Sequence, residues 1–342
     1  MAAYAGTYGV TFVLCAFGAY LADALRRRTF VPLAVAIAAV GLVGGAAWYA
    51  WPARTLPPPT IRVAAIQGNI AQSFKWSSLN VAVKRYTSMT RTAGADHPQL
   101  IAWPETVITT QLDVYPALLE RFRNLARKTH ATIVAGSLAG GPGALYNALY
   151  VISPDGTYFI YRKRQLVPFA EWFPGRAFLA WLPYIGALNG GLTPGQLDGV
   201  YKAGPLTIAP LICWESAFAD LAYAQVRNGA DLLVVSTDDA WFGKTSGPYM
   251  HAQIAQLRAI ESGAYVVRAA ATGISGVIAP DGSWQTRSAL DRRTIVSGRV
   301  GPRVATFFSK IGPTRVAAAL IALYAFLFLT AGDTRRIIRR RA

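Results

Sequence analysis

Residues 206–215, Leu-Thr-Ile-Ala-Pro-Leu-Ile-Cys-Trp-Glu, place a thiol and a carboxylate at the end of an almost wholly apolar run. A short continuous run of this kind reads as a strand buried on both faces, the signature of a sheet covered by helices on both sides. The residues that follow, 216–228, have helical character, so the strand feeds a helix and the class is α/β. In open α/β sheets reactive groups gather just beyond the carboxyl ends of strands, and a helix N-terminus nearby favours a thiolate. Free cysteine is also among the most buried residue types, so the segment alone leaves Cys213 either nucleophile or small hydrophobe.

Two further apolar runs that end in a polar residue repeat the pattern. Residues 100–103 lead through Pro104 to Glu105, and residues 158–162 lead to Lys163. A thiol, a lysine and a carboxylate delivered by three strand ends can serve as nucleophile, stabiliser of a developing oxyanion and general base. The Trp214 N–H is a second oxyanion donor on this reading, while Glu171 and Glu215 stand where they can fix the lysine or tune the thiol. His97, His130 and His251 show no ligand spacing, and neither a metal nor a cofactor is expected. The glycine-rich run 136–143 lacks both the dinucleotide and the P-loop order and reads as a turn.

Between residues 61 and 302 β-rich runs alternate with amphipathic segments. Strands are predicted at 62–67, 100–103, 132–136, 146–152, 158–162, 206–212, 232–236, 265–269 and 275–278, with helices at 79–92, 116–128, 216–228 and 249–262. Pro154-Asp155-Gly156 and Pro280-Asp281-Gly282 mark hairpin turns.

The flanks have another character. Hydrophobic residues make up 53% of the 342, charged residues only 15%, and the net charge is +17. Residues 4–25, 30–51 and 311–331 are apolar stretches of about the length a bilayer-crossing helix needs. Arg26-Arg27-Arg28 and the tail arginines Arg335, Arg336, Arg339, Arg340 and Arg341 adjoin these stretches, which assigns the positive charge to membrane topology rather than to nucleic acid. By the positive-inside rule both clusters face the cytoplasm and the middle domain faces outward. Two cysteines, one of them (Cys15) in an apolar stretch, offer no disulfide framework.

Five ordered motifs carry a resemblance: Trp103-Pro104-Glu105-Thr106; Tyr161-Arg162-Lys163 with Leu166-Val167-Pro168-Phe169-Ala170-Glu171; Ile212-Cys213-Trp214-Glu215; Asp239-Ala240-Trp241-Phe242-Gly243; and Ile66-Gln67-Gly68-Asn69-Ile70 with Phe74-Lys75-Trp76. Together with Gly247-Pro248-Tyr249 and His251 they resemble the nitrilase superfamily and, more narrowly, its apolipoprotein N-acyltransferase branch. The resemblance implies a nitrilase-like αββα sandwich domain (60–302) flanked by transmembrane helices, two in residues 1–56 and one at 311–331, with a basic cytoplasmic tail at 332–342. It implies the catalytic set Glu105, Lys163 and Cys213, the supporting Glu171, Glu215 and Trp214, and substrate-binding aromatics Trp76, Phe169, Trp241 and Phe242. It further implies a multi-pass protein of the bacterial inner membrane whose catalytic domain faces the periplasm. The substrates would be a phospholipid acyl donor of the phosphatidylethanolamine class and a diacylated apolipoprotein acceptor, handled by a monomer through a cysteine thioester. Asp238 and Ala271 depart from the pattern, which has Asn at both places, and the N-terminal membrane part is shorter than the branch usually carries, as in a truncated chain. A membrane-tethered carbon-nitrogen hydrolase and an inactive fragment are the alternatives.

Overall fold

The computed structural model describes residues 1–49, 58–173, 175, 191–196 and 199–326. It divides into two units: Met1–Leu56 with Ile260–Gly263 and Val304–Ala342, and Pro57–Ala259 with Ala264–Arg303.

In the first unit, α1 (Ala2–Arg27) and α2 (Val31–Tyr49) follow one another. Gly6 breaks the regular helix near the start of α1 at φ 60°. A side chain there would collide with the Phe308 ring, so glycine supplies both the backbone angle and the space. At the other end Arg28 adopts the left-handed conformation and donates its N–H to Ala24 O, a C-cap that stops the helix. Among the described residues α1 alone is long and apolar enough to cross a membrane.

The second unit carries the chemistry. Its first sheet contains β1 (Ile61–Gln67), β2 (Leu100–Ala102), β3 (Ile108–Gln111), β4 (Thr132–Gly141), β5 (Ala144–Ile152) and β6 (Tyr158–Arg162). The second contains β7 (Tyr201–Ala203), β8 (Leu206–Ile212), β9 (Leu232–Thr237), β10 (Tyr265–Ala270), β11 (Gly276–Ile278) and β12 (Trp284–Arg287); β13 (Thr294–Val300) returns to the first sheet. The orders are β13-β1-β2-β4-β5-β6, with β3 beside β4, and β12-β11-β10-β9-β8-β7. Strands β1, β2 and β4 run parallel, as do β8, β9 and β10.

Alternation along these parallel strands builds the layers. Val63, Ala65, Leu100, Ala102 and Val134 face Ile208, Ile212, Leu232, Val234 and Val267 in the core between the sheets. On the outer face of the first sheet, Ala64, Ile66 and Ile101 pack against α4 (Leu79–Gly94) and α5 (Pro116–Thr129), which follow the short α3 (Gln72–Lys75). On the outer face of the second, Leu211, Leu233 and Val235 meet α6 (Ala219–Arg227) and α7 (Gly247–Ser262). The result is an αββα sandwich. Each fully buried aliphatic side chain in it contributes roughly 1.5–3 kcal/mol of transfer free energy.

Three expectations need correction. The run 136–143 is mostly strand, because β4 continues to Gly141 and pairs with β5 throughout. The helix expected at 216–228 is split: a 3₁₀ turn, Cys213–Ala217, precedes α6, and Phe218 between them is extended. Strands β3, β7, β12 and β13 were not predicted at all.

The chain returns to the first unit through α8 (Phe307–Ile311) and α9 (Pro313–Phe326). The described apolar runs Leu33–Ala46 and Pro313–Phe326 fall short of the expected spans; residues 50, 51 and 327–331 of those spans, and the basic tail 332–342, lie outside the described residues.

Candidate active site

Glu105 is placed by its neighbours. Trp103, fully buried, packs against Tyr86 (ring centroids 5.3 Å apart) and Phe122 (5.1 Å) and donates its indole N–H to Thr90 Oγ1. Pro104 then turns the chain across Gly136, and Glu105 points into the unit. Its Oε1 accepts from Asn147 Nδ2 (2.7 Å) and Lys163 Nζ (3.1 Å), and its Oε2 from the Asp238 N–H (2.9 Å).

Lys163 follows β6, its N–H held by Asn147 O. Its buried ammonium also donates to Glu171 Oε1 at 2.8 Å, and Asn147 Nδ2 bonds that same oxygen at 3.1 Å. Glu171 Oε2 accepts from the Val167 N–H, which turns the loop back on itself. Two carboxylates, one amide and one ammonium thus form a closed set, from which a missing member would leave a costly unpaired charge.

Cys213 follows β8 at φ 50°, a left-handed conformation that costs a non-glycine residue of order 1 kcal/mol and turns the chain sharply out of the strand. Burial pushes its thiol above the usual range, and the Glu105 carboxylate pushes the same way; Lys163 and a hydrogen bond to Thr237 pull against them without prevailing. The resting group is therefore the thiol. This corrects the expectation of a dipole-favoured thiolate, since the turn after Cys213 is only a short 3₁₀ segment. Burial alone would raise Glu105, but Lys163 and Lys75 outweigh it and hold the carboxyl below its ordinary value. Burial likewise opposes the Lys163 ammonium, yet the Glu105 and Glu171 carboxylates hold it well above the usual lysine range. An ionised carboxylate beside a protonated thiol is the arrangement general-base activation requires.

Glu215 plays a different part from Glu171. Fully buried, it accepts from the Ile212, Arg164 and Gln165 N–H groups and from the Tyr161 hydroxyl. It thereby ties the loop after Lys163 to the turn after β8, and burial still raises its carboxyl despite these four donors. Trp214 is partly exposed, and so are Trp76, Phe169, Trp241 and Phe242, at 60%, 70%, 73% and 41%. Three of these aromatics stand directly beside site residues: Trp76 caps α3 after Lys75, and Trp241 and Phe242 lie in the 3₁₀ turn that Asp239 opens.

Sequence reasoning did not find Asn147, Lys75, Asp238 or Asp239 as site residues. Asn147 gave no signal in an ordinary strand, but the Asp238-Asp239 pair at the end of an apolar strand did follow the same rule that found Glu105. Among the described residues no group of His, Cys, Asp and Glu is arranged to hold a metal.

A sequence profile of the carbon-nitrogen hydrolases matches residues 62–304. The chain belongs to that family. Proteins named apolipoprotein N-acyltransferase from Pseudomonas syringae pv. tomato and Geobacter metallireducens are similar to it, 32% and 33% identical over 88% and 86% of this chain. The chain spans only 61% and 60% of those two proteins. Among solved carbon-nitrogen hydrolase folds, an amidase from Nesterenkonia sp. AN1 superposes with a TM-score of 0.58 at 18% identity, covering 76% of this chain and 99% of that one. A mutant of that amidase has also been determined with acrylamide joined by Michael addition to its active-site cysteine. Saccharomyces cerevisiae Nit3, of the nitrilase superfamily, gives 0.56 at 18% identity over 74% and 93% of the two chains. These likenesses establish the nitrilase-like αββα fold of this carbon-nitrogen hydrolase.

Proposed function

We propose that this chain is an apolipoprotein N-acyltransferase, which moves an acyl chain from a phospholipid, through a thioester on Cys213, to the N-terminal amine of a diacylglyceryl-cysteine lipoprotein. The observation that carries the reading is the pairing, in one chain, of the Glu105–Lys163 ion pair beside Cys213 with a bilayer-length apolar helix, α1. The names of its similar proteins point the same way.

In the first half-reaction Glu105 takes the thiol proton as sulfur attacks the ester carbonyl. The oxyanion is stabilised by Lys163 Nζ and the Trp214 N–H. Collapse breaks the carbon–oxygen bond, Glu105 returns its proton to the departing oxygen, and a lysophospholipid leaves. In the second half the lipoprotein amine attacks the thioester, Glu105 takes the ammonium proton and passes it to the sulfur, and the amide is released. Glu171 holds Lys163 in place, and Trp76, Phe169, Trp241 and Phe242 line the entrance for the acyl chain. Residues 60–302 act as the catalytic domain outside the inner membrane of a multi-pass protein, with α1, α2 and a helix in 311–331 as membrane segments and the tail 332–342 in the cytoplasm; the enzyme works as a monomer.

The test is to supply the chain, in lipid vesicles, with labelled phosphatidylethanolamine and a diacylated lipopeptide. Mass spectrometry is expected to find an acyl group on Cys213 and label on the lipopeptide, both lost in Cys213→Ala. Absence of the adduct, or unchanged transfer in the variant, overturns the proposal. Hydrolysis of a small soluble amide without lipid is the outcome that the fold's likeness to amidases would favour instead.

A further inference from the structure

Behind Cys213 lies a second buried polar chain that the mechanism above does not use. Asp239, fully buried, receives Arg268 Nη2 at 3.0 Å and His251 Nδ1 at 2.8 Å. Burial would raise its carboxyl, but the Arg268 charge and the His251 contact hold it at about 2, so it is an ionised acceptor. Across the ring, His251 Nε2 faces the Cys213 carbonyl oxygen at 3.1 Å and Ser216 Oγ at 3.0 Å. Ser216 Oγ is itself 2.8 Å from that carbonyl oxygen. Ser216 is fully buried and His251 nearly so, which excludes substrate from this serine, histidine and aspartate despite their order.

Thr237 Oγ1, 3.0 Å from Asp239 Oδ1, links one end of the chain to the Cys213 thiol, and His251 and Ser216 at the other end meet one peptide unit. The Cys213 C=O and the Trp214 N–H belong to the same planar trans peptide, so they point in opposite directions. Fixing the carbonyl on the buried side against His251 and Ser216 fixes the N–H away from them. That N–H lies in the first turn of the 3₁₀ segment, where the helix itself offers no acceptor. The strained φ of Cys213 makes such a brace necessary, because a left-handed residue left alone relaxes.

We infer that His251, anchored by Asp239 and Arg268 and assisted by Ser216, is the positioning residue that aims the Trp214 N–H at the developing oxyanion. The inference rests on the acyl-transfer reading only in taking Trp214 N–H as an oxyanion donor. It is independent of which ester or amide is the substrate.

The test separates two reactions of the same sulfur. Acylation by a p-nitrophenyl ester passes through an oxyanion; alkylation by iodoacetamide forms the sulfur–carbon bond as iodide leaves and needs no oxyanion donor. For His251→Leu the acylation rate is expected to fall roughly tenfold to a hundredfold, a fraction of what loss of a complete oxyanion donor costs, with alkylation changed by less than about threefold on the same reasoning. Ser216→Ala, a milder change that retains the ring, is expected to show the same split at smaller size. A parallel fall in both rates would mean that His251 merely supports the local fold, and unchanged acylation would mean that it does not act on the peptide; either overturns the inference. No acylation of wild-type chain by the ester also overturns it. Wild-type chain that reacts with the nitrophenyl ester but never with phospholipid would sink the proposed substrate and leave the role of His251 standing.

Discussion

Lys75 Nζ lies 2.6 Å from Asp238 Oδ2, an ion pair almost withdrawn from solvent and spanning 163 residues of sequence. Asp238 gives its backbone N–H to Glu105, so the pair joins α3, with its exposed Phe74 and Trp76, to the proposed base. Removing only the cation strands a carboxylate that burial already disfavours. Such a break costs about 3–5 kcal/mol, whereas neutralising both partners costs much less. Lys75→Met is therefore expected to lower the thermal midpoint clearly, Asp238→Asn to lower it less, and the double variant to regain part of the loss. A Lys75→Met protein as stable as the wild type would show that the pair contributes nothing.

The same lysine sets a pH limit. Glu105 must be ionised to take the thiol proton, and Lys163 and Lys75 hold its carboxyl below the ordinary 4.5 against the opposing effect of burial. Acylation of Cys213 should fall only below that value, as protons reach a carboxyl whose charge two cations stabilise. With Lys75→Met one of the two is gone, so the acidic limb of the pH–rate profile should move upward. A limb that stays in place or moves down contradicts the assignment of Glu105 as base.

Much of this arrangement was legible because it follows from strand chemistry. The runs that became β2, β6 and β8 are short and mostly apolar, and Glu105, Lys163 and Cys213 stand just past their ends, where a strand leaving a covered sheet exposes its next residues. Strands β3, β7 and β12 are three or four residues long and partly polar, too short for a period-2 pattern to emerge. Contacts such as Asn147 with Glu105, 42 residues apart, and His251 with Cys213, 38 apart, depend on how the layers stack, which no local pattern carries. The sequence offers His251 as a poor metal ligand and as part of the family motif but assigns it no partner, since Asp239 follows β9 and Arg268 lies in β10.

Asp239 gives an acid-stability prediction. Its carboxyl is held at about 2 rather than 3.8 by Arg268 and His251, in spite of burial. A depressed folded-state value means the stabilisation is complete above the unfolded value and is lost as pH falls through the folded one. The window is thus from about pH 4 to pH 2, and the contribution about 2 kcal/mol. Asp239→Asn should be less stable at neutral pH and lose less stability than the wild type between those limits, measured by denaturant unfolding at each pH. Equal slopes in the two proteins would remove Asp239 from the account.

Gly136 separates a turn reading of the glycine run from the strand that is there. In a turn an added methyl group would project into open space and be tolerated. In β4 it would lie 2.0 Å from Pro104 O and 2.8 Å from Glu105 Cα, both backbone atoms that no side-chain rotation can move aside. Relief requires displacement of β4 or of the segment that carries Glu105, whose carboxylate Lys163 and the Asp238 N–H hold in place. Gly136→Ala is therefore expected to cost roughly 1–3 kcal/mol, as overpacking does, and to slow acylation of Cys213 by more than tenfold, since a misplacement of about 1 Å at a reacting group suffices for that. Gly143→Ala, in open space at the end of the run but at φ 64°, should lower stability modestly and leave the acylation rate alone. If Gly136→Ala is as active as wild type, the close passage of β4 beneath Glu105 is not what holds the carboxylate on its lysine.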